Sequence, residues 1–569
     1  MRRHLAVAVA VLALLGALAP PVFAQAPAPK VTIEGLVDQT MTYSSNMSIY
    51  DLDLTRDHDK SWNGRTRGNL YFTAEVGKVK AFTFIKHDVS YGSTTGAAYG
   101  VPFHNGPFGL TDGNLQAEVQ GLVDLVELYT EFPLAGEGSL LPFIPTPGLA
   151  RVGFQNFDVD TYKLGALAWG FYPGAHIELD LMPGAKFTAT YAQLEESMTG
   201  RRDTTGLATS EAGKTIKETN FHRGDDFATI FTLETSPMKG LNVKPVYAYY
   251  FADGTTTGFA GPRVGRGGVE DKSANFPTGT NENRHTFGID ATWTSGPWSL
   301  APTFYYQTGS REMVPSVPSG KKMHCGAGGA VGAAAGCVEQ DMSAFLFDVQ
   351  GGWQSGPLNL EGLFVYSPGN EAKEDIRAGR TIHFYQPIST DAVYGVNWGH
   401  IVAITYDYKQ QLGYGSPGLC PACAISYDKY GRLQFGGRAS YNVTPAFKLR
   451  GVLTSLWTAE DVDTLSTISA AGLTPISGRI GPASKGKDSY LGTETDIGFE
   501  WKFAPNITFA FIYAHLFAGD GLGNACGGDK LDSTDKGGGL GVTPCANESA
   551  TARSPKDVQA VTTLLRFVF

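Results

Sequence analysis

The chain has 569 residues, with 45 Lys and Arg against 55 Asp and Glu and a formal net charge of −10. This acidic balance excludes nucleic-acid binding, which needs a basic footprint. Glycine is frequent at 71 residues and aromatic residues make up 12%, whereas charged residues, at 18%, fall below the roughly 25% of soluble domains. Composition leaves two classes open, a large soluble β-protein and a membrane β-barrel.

The amino-terminal segment predicts export. Met1–His4 is short and cationic, Leu5–Leu18 is apolar, and Val22–Ala24 places suitable residues where a signal peptidase reads them. We therefore expect a signal peptide at 1–24 and a flexible leader at 25–30. Cleavage removes two Arg, which leaves 43 Lys and Arg against 55 Asp and Glu, a net charge of −12. No later stretch of about 20 apolar residues predicts a spanning helix.

Beyond the leader, apolar and polar side chains alternate in segments of about ten to fourteen residues, close to what a tilted membrane strand needs. In 491–503 one face carries Leu, Thr, Ile, Phe and Trp, and the other carries Gly, Glu, Asp and Lys. Residues 371–430 are ambiguous, because Ile401–Tyr408 could form an extra strand or a loop folded over or into a channel. We predict about eighteen strands (range about 16–20), near 31–44, 65–77, 80–92, 119–133, 150–157, 175–182, 186–196, 226–236, 241–252, 284–295, 299–310, 342–354, 359–367, 431–444, 448–458, 489–504, 506–518 and 557–569.

The connections between these segments alternate in length, short then long. Short links fall at 77–78, 183–185, 236–238, 295–297, 355–357, 444–446 and 504–506. Long loops fall near 45–63, 93–116, 199–224, 254–281, 312–340, 371–430, 461–487 and 519–556. Short turns on one side and long loops on the other are typical of a transmembrane barrel, and a soluble sandwich has no reason to sort its loops in this way. The fold class predicted for 31–569 is therefore all-β, an antiparallel up-and-down transmembrane barrel.

The last predicted strand, 557–569, fits a closing strand. Val561, Thr563, Leu565, Phe567 and the terminal Phe569 share one face, and Arg566 lies on the other. A soluble strand can show the same alternation. The alternation of short and long loops and the signal peptide favour a transmembrane barrel over a soluble β-protein.

The signal peptide, the Pro-bearing short turns and terminal Phe569 resemble the bacterial outer-membrane porin superfamily. The hairpin from Leu491–Ile497 to Asn506–Tyr513 resembles the carboxyl-terminal part of alginate-export-type eighteen-stranded barrels, over roughly the last eighty residues. The resemblance implies an outer-membrane channel for passive diffusion of small hydrophilic solutes or ions, surrounded by lipid. It also implies recognition of the strand ending at Phe569 by the barrel assembly machinery. A monomer and a homotrimer are both open, and trimers are common in the superfamily that the chain resembles. It names no substrate, and the acidic balance departs from the basic lumen of a polyuronate exporter.

A barrel of sixteen to eighteen strands is too wide for side chains to fill and leaves an aqueous channel. With the apolar face toward lipid, charged residues on the other face are predicted to line the pore. These are Arg432, Arg438, Lys448, Arg450, Glu494, Asp496, Glu500, Lys502, Asp348, Asp290, Glu178, Asp180 and Arg566. The first four lie on two adjacent strands as a basic ladder, and early strands contribute mostly acids. Basic residues on one side of the wall and acidic residues on the other predict an electric field across the pore. Alternatively, these charges only solvate the lumen and pair across strands.

The connection at 158–170 is the predicted constriction. Its Leu164–Trp169 stretch is too apolar to face outside water, so we expect it against the inner wall. That placement leaves Asp158, Asp160 and Lys163 near the opening, beside Trp169. The alternatives are an ordinary surface loop with one apolar patch, and a constriction formed by 371–430.

Six cysteines form three local pairs, each within one long loop. The pairs are Cys325 with Cys337, Cys420 with Cys423, and Cys526 with Cys545. In an exported chain these predict disulfides. Cys420–Cys423 lacks the βαβ context of a redox motif, and no His lies at zinc-ligand spacing. We expect no metal, no cofactor and, without a convergent Ser/His/Asp set, no enzyme. The alternatives to a porin are a substrate-selective exporter or importer barrel and a structural or adhesin barrel.

Overall fold

The structure of the protein is a computed structural model that describes residues 28–45, 60–91, 123–157, 161–195, 226–255, 279–313, 338–371, 381–389, 394–395, 397–403, 422, 425–426, 428–462, 488–522 and 557–569. The signal peptide and the six cysteines lie outside these ranges. So do Asp158 and Asp160 of the predicted constriction. The predictions for these residues therefore stay predictions.

Among the described residues, eighteen antiparallel strands form one closed sheet, and two short strands pair with each other. The strands are β1 (Lys30–Ser45), β2 (Lys60–Val76), β3 (Val79–Tyr91), β4 (Val123–Ala135), β5 (Gly148–Asn156), β6 (Ala168–Trp169), β7 (Phe171–Met182), β8 (Ala185–Glu195), β9 (Asp226–Met238), β10 (Leu241–Thr255), β11 (Gly279–Ser295), β12 (Trp298–Met313), β13 (Val338–Ser355), β14 (Leu358–Ser367), β15 (Ile388–Ser389), β16 (Arg432–Thr444), β17 (Phe447–Val462), β18 (Asp488–Ala504), β19 (Ile507–Ala518) and β20 (Val558–Val568). Short 3-10 helices occupy Asp428–Tyr430 and Asp520–Leu522. The predicted eighteen-stranded barrel is confirmed.

The barrel closes between its first and last strands. β1 pairs with β2 on one side and with β20 on the other. The backbone N–H of Gly35 donates to the carbonyl of Phe569 at 2.8 Å, and the N–H of Phe569 donates back to Gly35 at 2.9 Å. No unpaired edge is left between these strands, which is what a sheet in lipid requires.

Alternation along the strands separates two faces. In β18, Ile497 is 70% exposed and Trp501 points the same way, whereas Glu494 and Asp496 are buried. Large exposed apolar side chains and buried polar ones separate in this way around the sheet. An apolar outside and a polar inside is the arrangement of a barrel that lies in lipid. No helix in the described part of the chain is long and apolar enough to cross a bilayer.

Seven two-residue turns join neighbouring strands at one rim of the described barrel. Several have Gly at positive φ, such as Gly240 at 81°, where an added Cβ would lie 2.3 Å from the Thr294 carbonyl oxygen. The short link expected at 236–238 lies instead at 239–240. β9 continues through Pro237, and its pairing with β10 shifts register there.

Two connecting segments pack inside the barrel. The first inward segment, 161–170, follows β5, and the second, the described residues of 381–403, follows β14. β6 in the first pairs in parallel with β15 in the second. Side chains of both enter one apolar cluster with inner-face residues of the barrel strands. Within the ambiguous stretch, Ile401–Ala403 form a turn, and 404–408 lie outside the described residues.

Candidate functional site: the barrel lumen

The first inward segment is fixed to the wall by its polar atoms as well as its apolar ones. Ala166 and Leu167 are fully buried. The Lys163 ammonium donates to Asp348 Oδ1 at 2.6 Å and to the Asp348 carbonyl at 2.7 Å. The N–H of Tyr162 donates to Asp290 Oδ2 at 3.0 Å. Burial lowers the pKa of Lys163, and Asp348 opposes that shift. Lys163 thus holds the segment, and Trp169 lies in β6 beside it.

Asp348 also anchors the second inward segment. The Tyr394 hydroxyl donates to Asp348 Oδ2, while Lys163 occupies Oδ1. Burial raises the pKa of Tyr394, so the hydroxyl keeps the proton that it donates. Gln307 on β12 forms two hydrogen bonds with Gln386 of the same segment. Gln307 Nε2 donates to the Gln386 carbonyl at 2.6 Å, and the Gln386 N–H donates to Gln307 Oε1 at 2.9 Å. One wall carboxylate therefore joins both segments.

Glu494 holds the far end of the second segment. Its Oε1 accepts from the N–H groups of His400 at 2.6 Å and Ile401 at 2.5 Å, and its Oε2 accepts from Val402 at 2.7 Å. The His400 N–H also reaches Asp496 Oδ2 at 3.0 Å. Three successive N–H groups on one carboxylate form a charge-assisted clamp. Glu494 and Asp496, expected to line the pore, are buried under this segment.

Two residues of the predicted basic ladder also contact the second segment. The Arg432 guanidinium lies 4.8 Å from the Tyr394 ring centroid and donates to the Ala422 carbonyl at 3.1 Å. The Arg438 guanidinium lies 4.4 Å from the Trp398 ring centroid. Arg432 is fully buried, whereas Arg438 keeps about a quarter of its side chain exposed. Planar guanidinium groups suit such stacking on aromatic faces.

Three of the four ladder residues, Arg438, Lys448 and Arg450, are paired with acids on the flanking strands, which agrees with the alternative that these charges pair across strands. Arg438 donates twice to Glu361 on β14, at 2.6 and 2.8 Å. Arg450 donates to Glu500 on β18 at 3.1 Å, and Lys448 lies 4.0 Å from the same carboxylate. Glu361 was absent from the predicted set. Only the strand register shows that it lies opposite Arg438.

Ion pairs of this kind recur around the inner wall, so the early strands are not an acidic arc. The pairs are Asp38 with Arg566, Glu131 with Lys80 and Arg151, Glu178 with Lys186, Glu234 with Lys244, Glu361 with Arg438, and Glu500 with Arg450, at nitrogen–oxygen distances of 2.6 to 3.2 Å. Asp180 lies opposite Lys186 in the register, and Lys502 lies opposite Thr508. Adjacent opposite charges cancel at a distance, which removes the basis for a strong transverse field in the described part.

Sequence comparisons find no matching family model and no matching curated protein. Among solved structures, the chain is similar to OpdQ of Pseudomonas aeruginosa, with 8% identity over 95% of this chain and 97% of that chain and a TM-score of 0.44. It is similar to the outer membrane protein OprD of Pseudomonas aeruginosa, with 9% identity over 96% and 95% and a TM-score of 0.43. It is also similar to OccAB4 of Acinetobacter baumannii, with 10% identity over 94% and 98% and a TM-score of 0.44. At such values, function must be argued from the barrel itself.

Proposed function

We propose that the protein is an outer-membrane channel for passive diffusion of small hydrophilic solutes or ions. The observation that carries this proposal is the closed eighteen-stranded barrel with an apolar outer face and a charged inner face. A barrel of this strand number encloses an aqueous channel, because its inner side chains are too short to meet across it.

The two inward segments support a narrowed, solute-selective channel. They bury one group of the charges that were expected to line the pore and leave another group partly exposed. The buried group is Asp290, Asp348, Arg432, Glu494 and Asp496. The partly exposed group that we propose lines the pore is Arg438, Lys448, Arg450, Glu178, Asp180, Glu500, Lys502 and Arg566. In this proposal 158–170 and the second inward segment form the constriction together.

Assembly is a further part of the proposal. The exported chain reaches the outer membrane, where the assembly machinery recognises the strand that ends at Phe569. Support comes from the outer-face pair of Phe567 and Phe569, whose ring centroids are 5.6 Å apart and which are both exposed to the lipid side. For the assembled state we propose a homotrimer, which is common in the porin superfamily. Crosslinking in native membranes tests that state.

Electrical recording in planar lipid bilayers tests the channel. The refolded protein is added at low concentration, after circular dichroism has shown its β-structure. We expect discrete conductance steps, together with swelling of liposomes in small sugars and salts but not in large dextrans. A detergent extract without the protein is the control. A folded β-protein that gives no steps and no swelling would contradict the channel and favour a structural or adhesin barrel.

A further inference from the structure

Four aromatic side chains lie together on the inner face of β2, β3 and β4, where a wet channel calls for polar ones. They are Tyr71, Phe82, Phe84 and Tyr129, named here the inner-wall aromatic patch. The strand register shows that the four side chains face the same side of the sheet. Tyr71 lies opposite Glu34 on β1 and opposite Phe84 on β3, and Phe82 lies opposite Tyr129 on β4. Charged residues of the same phase, such as Lys80 and Glu131, confirm that this face is the lumen side.

The rings of the patch form a continuous surface along the wall. The Tyr71 and Phe84 centroids are 4.7 Å apart, and those of Phe82 and Tyr129 are 5.0 Å apart. Tyr71 and Phe82 connect the two halves at 6.3 Å with an interplanar angle of 21°. The interplanar angles of the three ring pairs run from 21° to 32°, so neighbouring rings overlap in a stacked or tilted row along the wall.

The patch is not part of the packing that holds the inward segments. None of its four residues belongs to the apolar clusters of described residues around those segments. Phe84 and Tyr129 are mostly buried, whereas Tyr71 and Phe82 are half-buried. Aromatic surface is therefore presented near the two-residue turn at Gly77–Lys78. Apolar surface of this kind in a polar lumen is typical of a ligand contact.

Charged side chains border the patch, and several of them form ion pairs with one another. The Arg151 guanidinium lies 4.5 Å from the Tyr129 ring centroid. Glu131 accepts from Arg151 at 3.0 Å and lies 3.0 Å from the Lys80 ammonium. One carboxylate thus serves two cations, and Glu127 adds a second negative charge on the same strand. Glu34, which lies opposite Tyr71 on β1, is a third carboxylate beside the patch, so the border offers donors and acceptors to a solute and carries a net negative charge.

Asn69 supplies an independent indication of a ligand. Its side-chain N–H donates to Tyr71 Oη at 3.0 Å. Its Oδ1 has no hydrogen-bond partner among the described residues, although the residue is only 8% exposed. A buried acceptor of this kind is costly unless something donates to it. The hydrogen bond from Nδ2 to Tyr71 places the Asn69 side chain at the edge of the aromatic patch.

We propose that the inner-wall aromatic patch is a binding subsite for the ring of a neutral carbohydrate passing through the channel. The C–H face of a pyranose ring packs on the exposed part of the Tyr71 and Phe82 rings. A ring hydroxyl donates to Asn69 Oδ1, and others bond to the charged side chains of the border. A carboxylate solute fits less well, because Asn69 Oδ1 is itself an acceptor, Lys80 and Arg151 are already paired with Glu131, and Glu34 lies beside the patch. The inference rests on the proposed channel function and names its solute class.

The test is sugar-dependent block of ion current in planar bilayers. The probes are maltose and methyl glucoside as cyclic polyols, mannitol as an acyclic polyol, and benzoate as an aromatic acid. We expect the two cyclic sugars to reduce the current with saturation, and mannitol and benzoate to do so much more weakly. Open-channel conductance without sugar reports the channel function separately from the subsite.

Variants assign the block to the patch. Replacing both Tyr71→Leu and Phe82→Leu keeps apolar volume but removes the aromatic faces, and we expect half-maximal block at about tenfold higher sugar, equal to about 1.4 kcal/mol. Asn69→Leu leaves the rings in place and should weaken block in the same direction. The matched control is Phe304→Leu, an aromatic residue on the outer face of β12, which should leave block unchanged.

The outcomes separate the two proposals. No conductance from folded protein overturns the channel itself. Conductance without sugar block, block that survives the Tyr71 and Phe82 replacements, or stronger block by benzoate than by maltose overturns the carbohydrate subsite and leaves the channel standing. Circular dichroism and open-channel conductance establish whether each variant is folded. If the double variant of Tyr71 and Phe82 does not fold, Asn69→Leu is the deciding variant.

Discussion

At the scale of single residues, the lumen is organised by carboxylates that bind backbone N–H groups. Glu494 accepts three of them, from His400, Ile401 and Val402. Barrel strands use their own N–H groups in the sheet, so only a connecting segment can offer three in a row. Each hydrogen bond to a charged group contributes roughly 1.5–3 kcal/mol. One side chain can therefore decide whether the second inward segment stays on the wall.

Glu494→Gln should loosen this segment without unfolding the barrel. The amide has one acceptor oxygen, and its NH2 group faces N–H donors, so we expect a loss of about 2–4 kcal/mol of local anchoring. Single-channel recordings should show more frequent conductance fluctuations and a higher mean conductance. Glu500→Gln is the matched control, since it changes the same charge on the same strand at a residue paired with Arg450. Equal fluctuation rates in the two variants would contradict the anchoring role.

The residue scale also shows where sequence reasoning stops. The alternation of apolar and polar residues correctly predicted that Glu494, Arg432 and Asp348 face the inside of the barrel. Successive side chains in a strand point to opposite faces of the sheet, so this prediction needs only the local sequence. Whether such a residue faces water or a folded-in segment depends on a partner far along the chain. Lys163 and Asp348 are 185 residues apart. No local pattern contains that pairing, so the predicted pore-lining set included residues that are buried as anchors.

At the scale of elements, the strands were predictable and the inward segments only partly so. Eighteen strands follow from period-two alternation and loop lengths, both of which are local. The apolar stretch of the first inward segment was also visible, since Leu164–Trp169 does not suit a surface loop. Ile401–Ala403 left two alternatives open, an extra strand and a loop folded over or into the channel, because an apolar β-branched run also suits a strand. It is a buried turn, whose N–H groups bond to Glu494 rather than to a neighbouring strand.

Replacing 158–170 with a short Gly-Ser linker should raise single-channel conductance. The structure adds a reason for a large rise, because β6 in the first inward segment pairs with β15 in the second. Removing the first also removes Lys163 from Asp348 and leaves the second less constrained. A linker of the same length in place of part of 199–224 is the control. Unchanged conductance would show that the constriction lies elsewhere.

At the scale of the whole molecule, many charged residues on the described part of the inner wall are paired with a neighbour of opposite charge. Acidic and basic strands take turns over a long arc, from β4 and β5 through β7, β8 and β9 to β10. Neighbouring strands lie about 4.8 Å apart, less than the Debye length of roughly 8 Å at physiological salt. An ion in the lumen therefore lies near ion pairs of opposite charge rather than near long stretches of wall with one sign of charge. Weak ion selectivity follows, and a subsite for a neutral solute suits such a wall.

Removing one charge sign from the ion pairs of the inner wall should increase the ion selectivity of the channel. Arg438→Gln together with Arg450→Gln leaves Glu361 and Glu500 without their guanidinium partners. We expect the reversal potential under a salt gradient to shift toward cations, with the permeability ratio changing on the order of twofold to fivefold, or about 0.4–1 kcal/mol. Glu361→Gln with Glu500→Gln should shift it toward anions. Arg432 is left unchanged because it holds Tyr394 and Ala422 rather than facing the bore. If both double variants keep the parent reversal potential, these side chains do not border the ion path, and the exposed lining group proposed above is wrong.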